Sequence, residues 1–209
     1  MEAVQNLTSE ARRLEDLWAG DFGNAYVERN QAAGNSRQTF WEELLDAHIS
    51  IQRVLEVGCN LGANLRWIAN KRPQRDIYGV DINHKALAEL HQTLPQVNAI
   101  WSPARELPFR DRWFDLTFTM GVLIHQPEST LPLVMSEVVR CSKRYVLCGE
   151  YFAPETTEVF YRGHEGALFK RDYGKRYQEL FPELRLCAEG FLGRDSGWDD
   201  VTYWLFEKP

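Results

Sequence analysis

The chain contains no C-x-x-C pair. Its four cysteines, Cys59, Cys141, Cys148 and Cys187, are scattered. That spacing argues against a zinc site and against a disulfide framework. Unpaired thiols and the lack of a recognisable signal peptide point to a reducing, cytoplasmic setting. No apolar run reaches the ~18 residues needed to span a bilayer, so a membrane is not an expected partner. Basic residues form no block, and Lys+Arg 24 against Asp+Glu 30 gives a net charge of −6. The sign opposes phosphate steering, so nucleic acid is not an expected partner either. Internal repeats and low-complexity segments are also missing. At 209 residues there remains one domain of ordinary size, with room for a small appendage.

The most informative stretch is Arg53 to Leu65. A short apolar run, Val54-Leu55-Glu56-Val57, stops at Gly58, and Gly62 opens a helical pattern. A second run, Ile77-Tyr78-Gly79-Val80, ends at Asp81, twenty-three residues beyond Gly58. Strand, tight turn, helix and a second strand ending in an acid make a nucleoside site. The turn lets backbone approach the ligand and the carboxylate accepts ribose hydroxyls, at roughly 20 residues' separation. Glu56 narrows the choice. An acid at the end of strand one repels pyrophosphate and suits an ammonium group. S-adenosylmethionine (SAM) has ribose, adenine and an amino acid, and no phosphate. Asn60 stands between the two glycines, and asparagine tolerates the left-handed backbone better than most residues.

Further along, Asn6 to Trp18 reads as a polar helix, and Trp18, Phe22 and Tyr26 share one helical face. They are either packing residues or aromatic faces for a sulfonium. Thr39 to Ser50 reads as an amphipathic helix with Phe40, Leu44, Leu45 and Ala47 on its apolar side. The helix after the turn is expected to stop near Arg72-Pro73. Ligands in open α/β sheets bind at the carboxyl ends of strands. Met120, Gly121 and His125, after strand four, should therefore face cofactor and substrate. His125 is a candidate base, since imidazole titrates near neutrality. Between strand five and the next helix lies a loop of small residues carrying Arg162, His164, Lys170 and Arg171. Local basicity in an acidic protein suits an anionic acceptor. A turn from Gly193 to Gly197 separates two last strands expected to pair antiparallel.

These features resemble the class I SAM-dependent methyltransferases. Glu56-x-Gly58-x-Asn60-x-Gly62 is similar to their first motif, and Leu107-Pro108-Phe109 through Asp115 to a run that follows their third strand. The resemblance implies a Rossmann-like doubly wound α/β sheet of seven strands, order 3-2-1-4-5-7-6, with the last strand antiparallel. It implies a helical lid over residues 1–50 and a SAM-binding domain over 51–209. Glu56, Gly58, Asn60, Gly62, Asp81, Ile82, Ser102, Ala104, Met120 and Gly121 would hold SAM. Where relatives place an aspartate for the adenine amino group, this chain has Pro103, so that contact is either lost or taken over by Ser102. His125 and His164 would assist catalysis. Tyr26, Arg29, Tyr151, Arg162, Lys170 and Arg171 would bind substrate. No metal is expected. The stretches Trp18 to Asn30, Leu55 to Gly62 and Tyr161 to Asp172 further resemble the pseudaminic-acid-biosynthesis-associated methyltransferase group. The expected function is methyl transfer to O or N of a small, polar, anionic acceptor by a monomer or homodimer. A natural-product carboxyl- or amine-methyltransferase, a NAD-binding oxidoreductase and a non-catalytic SAM-binding module are the alternatives.

Overall fold

The computed structural model describes residues 2–30, 37–71 and 74–209, with side chains from residue 9 onward. The chain opens with helices α1 (Glu2–Ala19) and α2 (Asp21–Asn30), parted at Gly20, whose N–H still bonds Asp16 O at 2.9 Å. Helix α3 (Gln38–Ala47) buries Trp41, Leu44 and Leu45. The apolar face is thus centred one residue later than expected. Phe40 is only half-buried and Ala47 is exposed, because the helix ends there, with His48 N–H closing on Leu44 O.

The alternating core follows as β1 (Arg53–Val57), α4 (Leu65–Lys71), β2 (Asp76–Asp81), α5 (His84–Thr93), β3 (Asn98–Trp101) and β4 (Phe114–Met120). The expected stop at Arg72-Pro73 lies outside the described residues. Next come α6 (Leu131–Cys141), β5 (Ser142–Glu150), the two-residue strands β6 (Thr157–Glu158) and β7 (Phe169–Lys170), α7 (Tyr173–Leu180), β8 (Arg185–Leu192) and β9 (Val201–Glu207). Seven strands form one sheet in the order β3-β2-β1-β4-β5-β9-β8. The pairs from β3 to β5 are parallel and β9 runs antiparallel to both neighbours. This is the sheet expected from the sequence.

Side chains alternate across it, as strand geometry requires. Leu55, Val57, Val146 and Cys148 face a layer holding Val134, Met135, Val138, Tyr173 and Tyr177. Val54, Leu116, Phe118 and Leu147 face Trp41, Leu45, Leu65, Ile68 and Leu90. Helix α3 is therefore packed into the same core as β1 and β4. The β6–β7 hairpin replaces the irregular loop anticipated between strand five and the next helix. Two residues are too few to show a period of two. Asp172 caps α7, accepting Lys175 N–H at 2.9 Å, so that helix starts after Arg171 rather than at it. No helix among the described residues is long and apolar enough to cross a membrane.

Candidate active site

The carboxyl ends of β1, β2, β3 and β4 open into a single cavity of about 190 Å³, with Leu14, Glu15 and Trp18 of α1 and Tyr26 of α2 on its opposite wall. Its base is the turn after β1. Gly58, Asn60 and Gly62 take positive φ values of 75°, 46° and 71°. A Cβ at Gly58 would sit 2.4 Å from Val122 Cγ2, so the turn and the segment after β4 touch through a missing side chain. Asn60 N–H donates to Asp81 Oδ2 and Asn83 N–H to Oδ1, each at 2.8 Å. Burial raises the Asp81 pKa, and these backbone donors pull it back. Both oxygens are held in place and retain lone pairs for a diol.

Glu56 is 2% exposed. Its Oε1 accepts Asn64 Nδ2 at 2.6 Å, while Oε2 has no partner. Asn64 Oδ1 in turn accepts Trp41 Nε1 at 3.3 Å and Arg37 Nη1 at 3.2 Å. Burial pushes the Glu56 pKa up to about 8, against the Asn64 bond and the Arg37 charge. A buried carboxyl with one unsatisfied oxygen is costly until a cation or donor meets it. The residues present therefore fit SAM: Glu56 for the ammonium and Asp81 for the ribose hydroxyls.

The far wall is aromatic. The Trp18 ring lies 5.3 Å from Tyr26, 5.2 Å from Phe22 and 4.3 Å from His125, centre to centre. His125 ends a short 3₁₀ turn, Leu123–His125. The turn is held from β5, where the two Glu150 oxygens accept Val122 and Ile124 N–H at 3.2 Å each. His125 Nδ1 lies 2.6 Å from Ala167 O. A carbonyl only accepts, so Nδ1 carries the proton and Nε2 keeps its lone pair. Burial pulls the His125 pKa down to about 4, so the ring is neutral at pH 7. A neutral ring does not repel a sulfonium.

Residues 54–144, which hold the turn, Asp81 and Met120 to His125, match the family described as "Methyltransferase domain". The 1,6-didemethyltoxoflavin-N1-methyltransferase of Burkholderia thailandensis, solved with its substrate and S-adenosylhomocysteine, has the same fold. Its TM-score is 0.69 at 15% identity, over 90% of this chain and 85% of that one. Residues 54–144 carry a methyltransferase domain, set in the class I methyltransferase fold. Magnesium protoporphyrin IX methyltransferase from Synechocystis PCC 6803, with bound SAM, also shares the fold (TM-score 0.66, 13% identity, 96% of this chain and 97% of that). In sequence, the tRNA U34 carboxymethyltransferase of Syntrophotalea carbinolica is 31% identical over 157 residues, 72% of this chain and 45% of that protein. The corresponding protein of Nautilia profundicola is 28% identical over 177 residues, 66% of this chain and 55% of that protein. The chain spans about half the length of these curated relatives.

Within the methyltransferase domain, Glu56, Gly58, Asn60, Asp81 and Ile82 line the cavity, as do Ser102, Ala104, Met120, Gly121, His125 and Tyr26. Gly62 does not. Its Cα backs onto Leu90 and Leu94 of the α5 region, where it lets the turn close on that helix. Ser102 spends its hydroxyl proton on Glu106 O at 2.9 Å, within its own loop. The basic loop is where sequence expectation and structure part. Arg171 is 1% exposed and bonds Gln126 O at 3.0 Å and Tyr173 OH at 3.2 Å. It braces the segment behind His125 and does not line the cavity, a correction to its expected substrate role. Lys170 is exposed on β7. Arg29 is exposed on α2, its guanidinium 5.8 Å from the Tyr26 ring centre. Tyr151 is not part of the cavity lining, and its carbonyl accepts Arg171 N–H at 3.2 Å. His164 packs 4.9 Å from Phe22, and Arg162 lies 5.7 Å from Tyr161, whose ring is 5.7 Å from His125. Both sit at the outer edge of the aromatic wall.

Sequence reasoning passed over Arg37, Asn64 and Glu15. Asn64 sits two residues beyond Gly62, so its spacing was readable. Arg37 and Glu15 come from helices whose docking no local pattern reveals.

Proposed function

We propose that this domain binds SAM and transfers its methyl group to an O or N of a small, polar, anionic acceptor, of the sugar-acid kind. The observation that carries the reading is the buried, unpartnered Glu56 Oε2 beside the backbone-held Asp81 carboxylate. Together they match the ammonium and the ribose diol of one molecule. Bound there, SAM supplies an electrophilic methyl carbon on a sulfonium. The chain's own contribution is placement and exclusion of water. Trp18 and Tyr26 turn aromatic surface to the cavity, where cation–π attraction contributes ~0.5–2 kcal/mol. His125 Nε2 accepts a hydrogen bond from the acceptor's O–H or N–H and fixes the direction of its lone pair. With its proton affinity lowered by burial, His125 orients the nucleophile and does not retain the nucleophile's proton, which passes through Nε2 to solvent as the methyl group is transferred; a carboxylate acceptor has no proton to lose. Arg162 and His164, at the edge of the aromatic wall, favour an anion on entry. The late segment from Tyr161 to Asp172 supports the sugar-acid class through its resemblance to the pseudaminic-acid-associated group.

A second reading is methyl transfer to tRNA, favoured by the 31% identity to a tRNA U34 carboxymethyltransferase. Thermal shift with SAM, S-adenosylhomocysteine and NAD tests the cofactor, and stabilisation by NAD alone would overturn the reading. Labelled SAM incubated with sugar acids, amines and bulk tRNA separates the acceptors. Label in the sugar acids is expected, and label confined to tRNA would replace the first reading by the second.

A further inference from the structure

Asp81 pairs with Trp101 across the β2–β3 register. A ribose held by Asp81 therefore directs its base toward the segment leaving β3, where Ser102, Ala104 and Arg105 line the cavity. Adenine offers an exocyclic amino donor at its far edge. A selective site must meet that donor with an acceptor, because an unmatched polar edge in a closed pocket is costly. Two neutral acceptors on the lining, the Ser102 hydroxyl turned to Glu106 O and the Gln126 amide oxygen that takes the Thr130 hydroxyl at 3.1 Å, keep lone pairs but accept more weakly than a carboxylate. Among the described residues, four carboxylates line the cavity: Glu15, Glu56, Asp81 and Asp199. Glu56 is bound to Asn64, and Asp81 holds the turn. Asp199 lies two residues after Gly197, whose carbonyl is reached by Arg37 on the Glu56 side of the cavity.

Glu15 is different. Helix α1 carries it across to Arg105, which grips it with Nε on Oε1 at 2.6 Å and Nη2 on Oε2 at 3.2 Å. The fork fixes the carboxylate plane and leaves each oxygen a free lone pair. The side chain is 25% exposed.

We infer that Glu15, positioned by Arg105, is the residue that reads the exocyclic amino group of the cofactor's adenine. The inference rests on the SAM reading above. It makes base recognition the work of a helix outside the sheet, held to the β3 exit by the Arg105 fork.

The test compares S-adenosylhomocysteine with S-inosylhomocysteine, in which a carbonyl replaces the amino group, by calorimetry. The wild-type protein should prefer the adenosyl compound by about ten- to a hundredfold, the range of one hydrogen bond to a charged group. Glu15→Ala should collapse that preference to within about threefold, chiefly by weakening the adenosyl compound. Glu15→Gln keeps an acceptor oxygen and should retain part of the preference. Arg13→Ala, on the same helix but paired with Glu10 and Gly166 O, should leave the ratio unchanged. Equal weakening of both ligands in Glu15→Ala, or no weakening, would overturn the assignment while leaving the SAM site standing. A wild-type protein that binds neither compound would overturn the SAM reading and this inference together.

Discussion

At the residue scale, Glu56 carries the most specific chemistry. Its pKa of about 8 lies above the ordinary value of 4.5 because burial disfavours the charged form. A raised pKa means that the folded state binds this proton more tightly than the unfolded chain. The stabilisation is complete below pH 4.5 and is lost as the pH rises through about 8. An arriving ammonium reverses the preference and expels the proton. At about pH 6.5, S-adenosylhomocysteine binding should release about one proton, read by calorimetry in buffers of different ionisation enthalpy. Affinity should climb by up to about tenfold per unit between pH 6 and 7.5, and level off as the pH passes the Glu56 pKa of about 8. Glu56→Gln should bind more weakly and release no proton. Identical heats in all buffers would mean that the ammonium does not meet Glu56. His125 was legible as a residue near the reaction, because it follows strand four. Its neutral state was not, since that comes from burial under Trp18; the carbonyl of Ala167, forty-two residues away, pulls the other way and fixes which nitrogen carries the proton.

At the scale of elements, the turn after β1 and the 3₁₀ turn after β4 form one unit, touching where Gly58 has no side chain. Gly58→Ala adds a methyl 2.4 Å from Val122 Cγ2 at a backbone φ of 75°. The left-handed conformation alone costs about 1–2 kcal/mol with a Cβ, and the clash adds to it. Chemical denaturation should show a loss of at least that size, with weaker S-adenosylhomocysteine binding. Adding Val122→Ala should recover the clash but not the backbone strain. A single variant as stable as the wild type would show that the two turns do not constrain each other. Glu150 secures the same unit from β5. Its pKa, lifted by burial to about 7, marks how deeply that carboxylate is set beneath the cavity. The helix α3 register shows why an amphipathic stripe was readable only to within a residue. Phe40 and Trp41 are both aromatic, and packing against Phe118 selects Trp41 for the core.

At the scale of the whole molecule, α1 and α2 close one side of the cavity. They are tied on by Glu15 to Arg105, Arg13 to Gly166 O, and Asn83 Nδ2 to Trp18 O at 3.0 Å. We propose that this layer acts as a lid. Hydrogen exchange should slow across residues 11–27 when S-adenosylhomocysteine binds, and much less in α6. Uniform protection, or none in the lid, would make the layer a fixed wall instead. The sequence by itself determined the strand order, the turn, and the placing of Glu56 and Asp81 at the ends of β1 and β2. Those features depend on neighbours within one βαβ unit, where strand and helix periods and a positive φ are local constraints. Only the tertiary structure decided that Arg171 is a buried brace, that Arg37 joins Asn64 at the Glu56 end, and that Glu15 meets Arg105 across ninety residues of chain. The reason is physical: a charged side chain has the same local pattern whether it faces water, a core or a ligand. Its partner is set by which helix packs over which strand end.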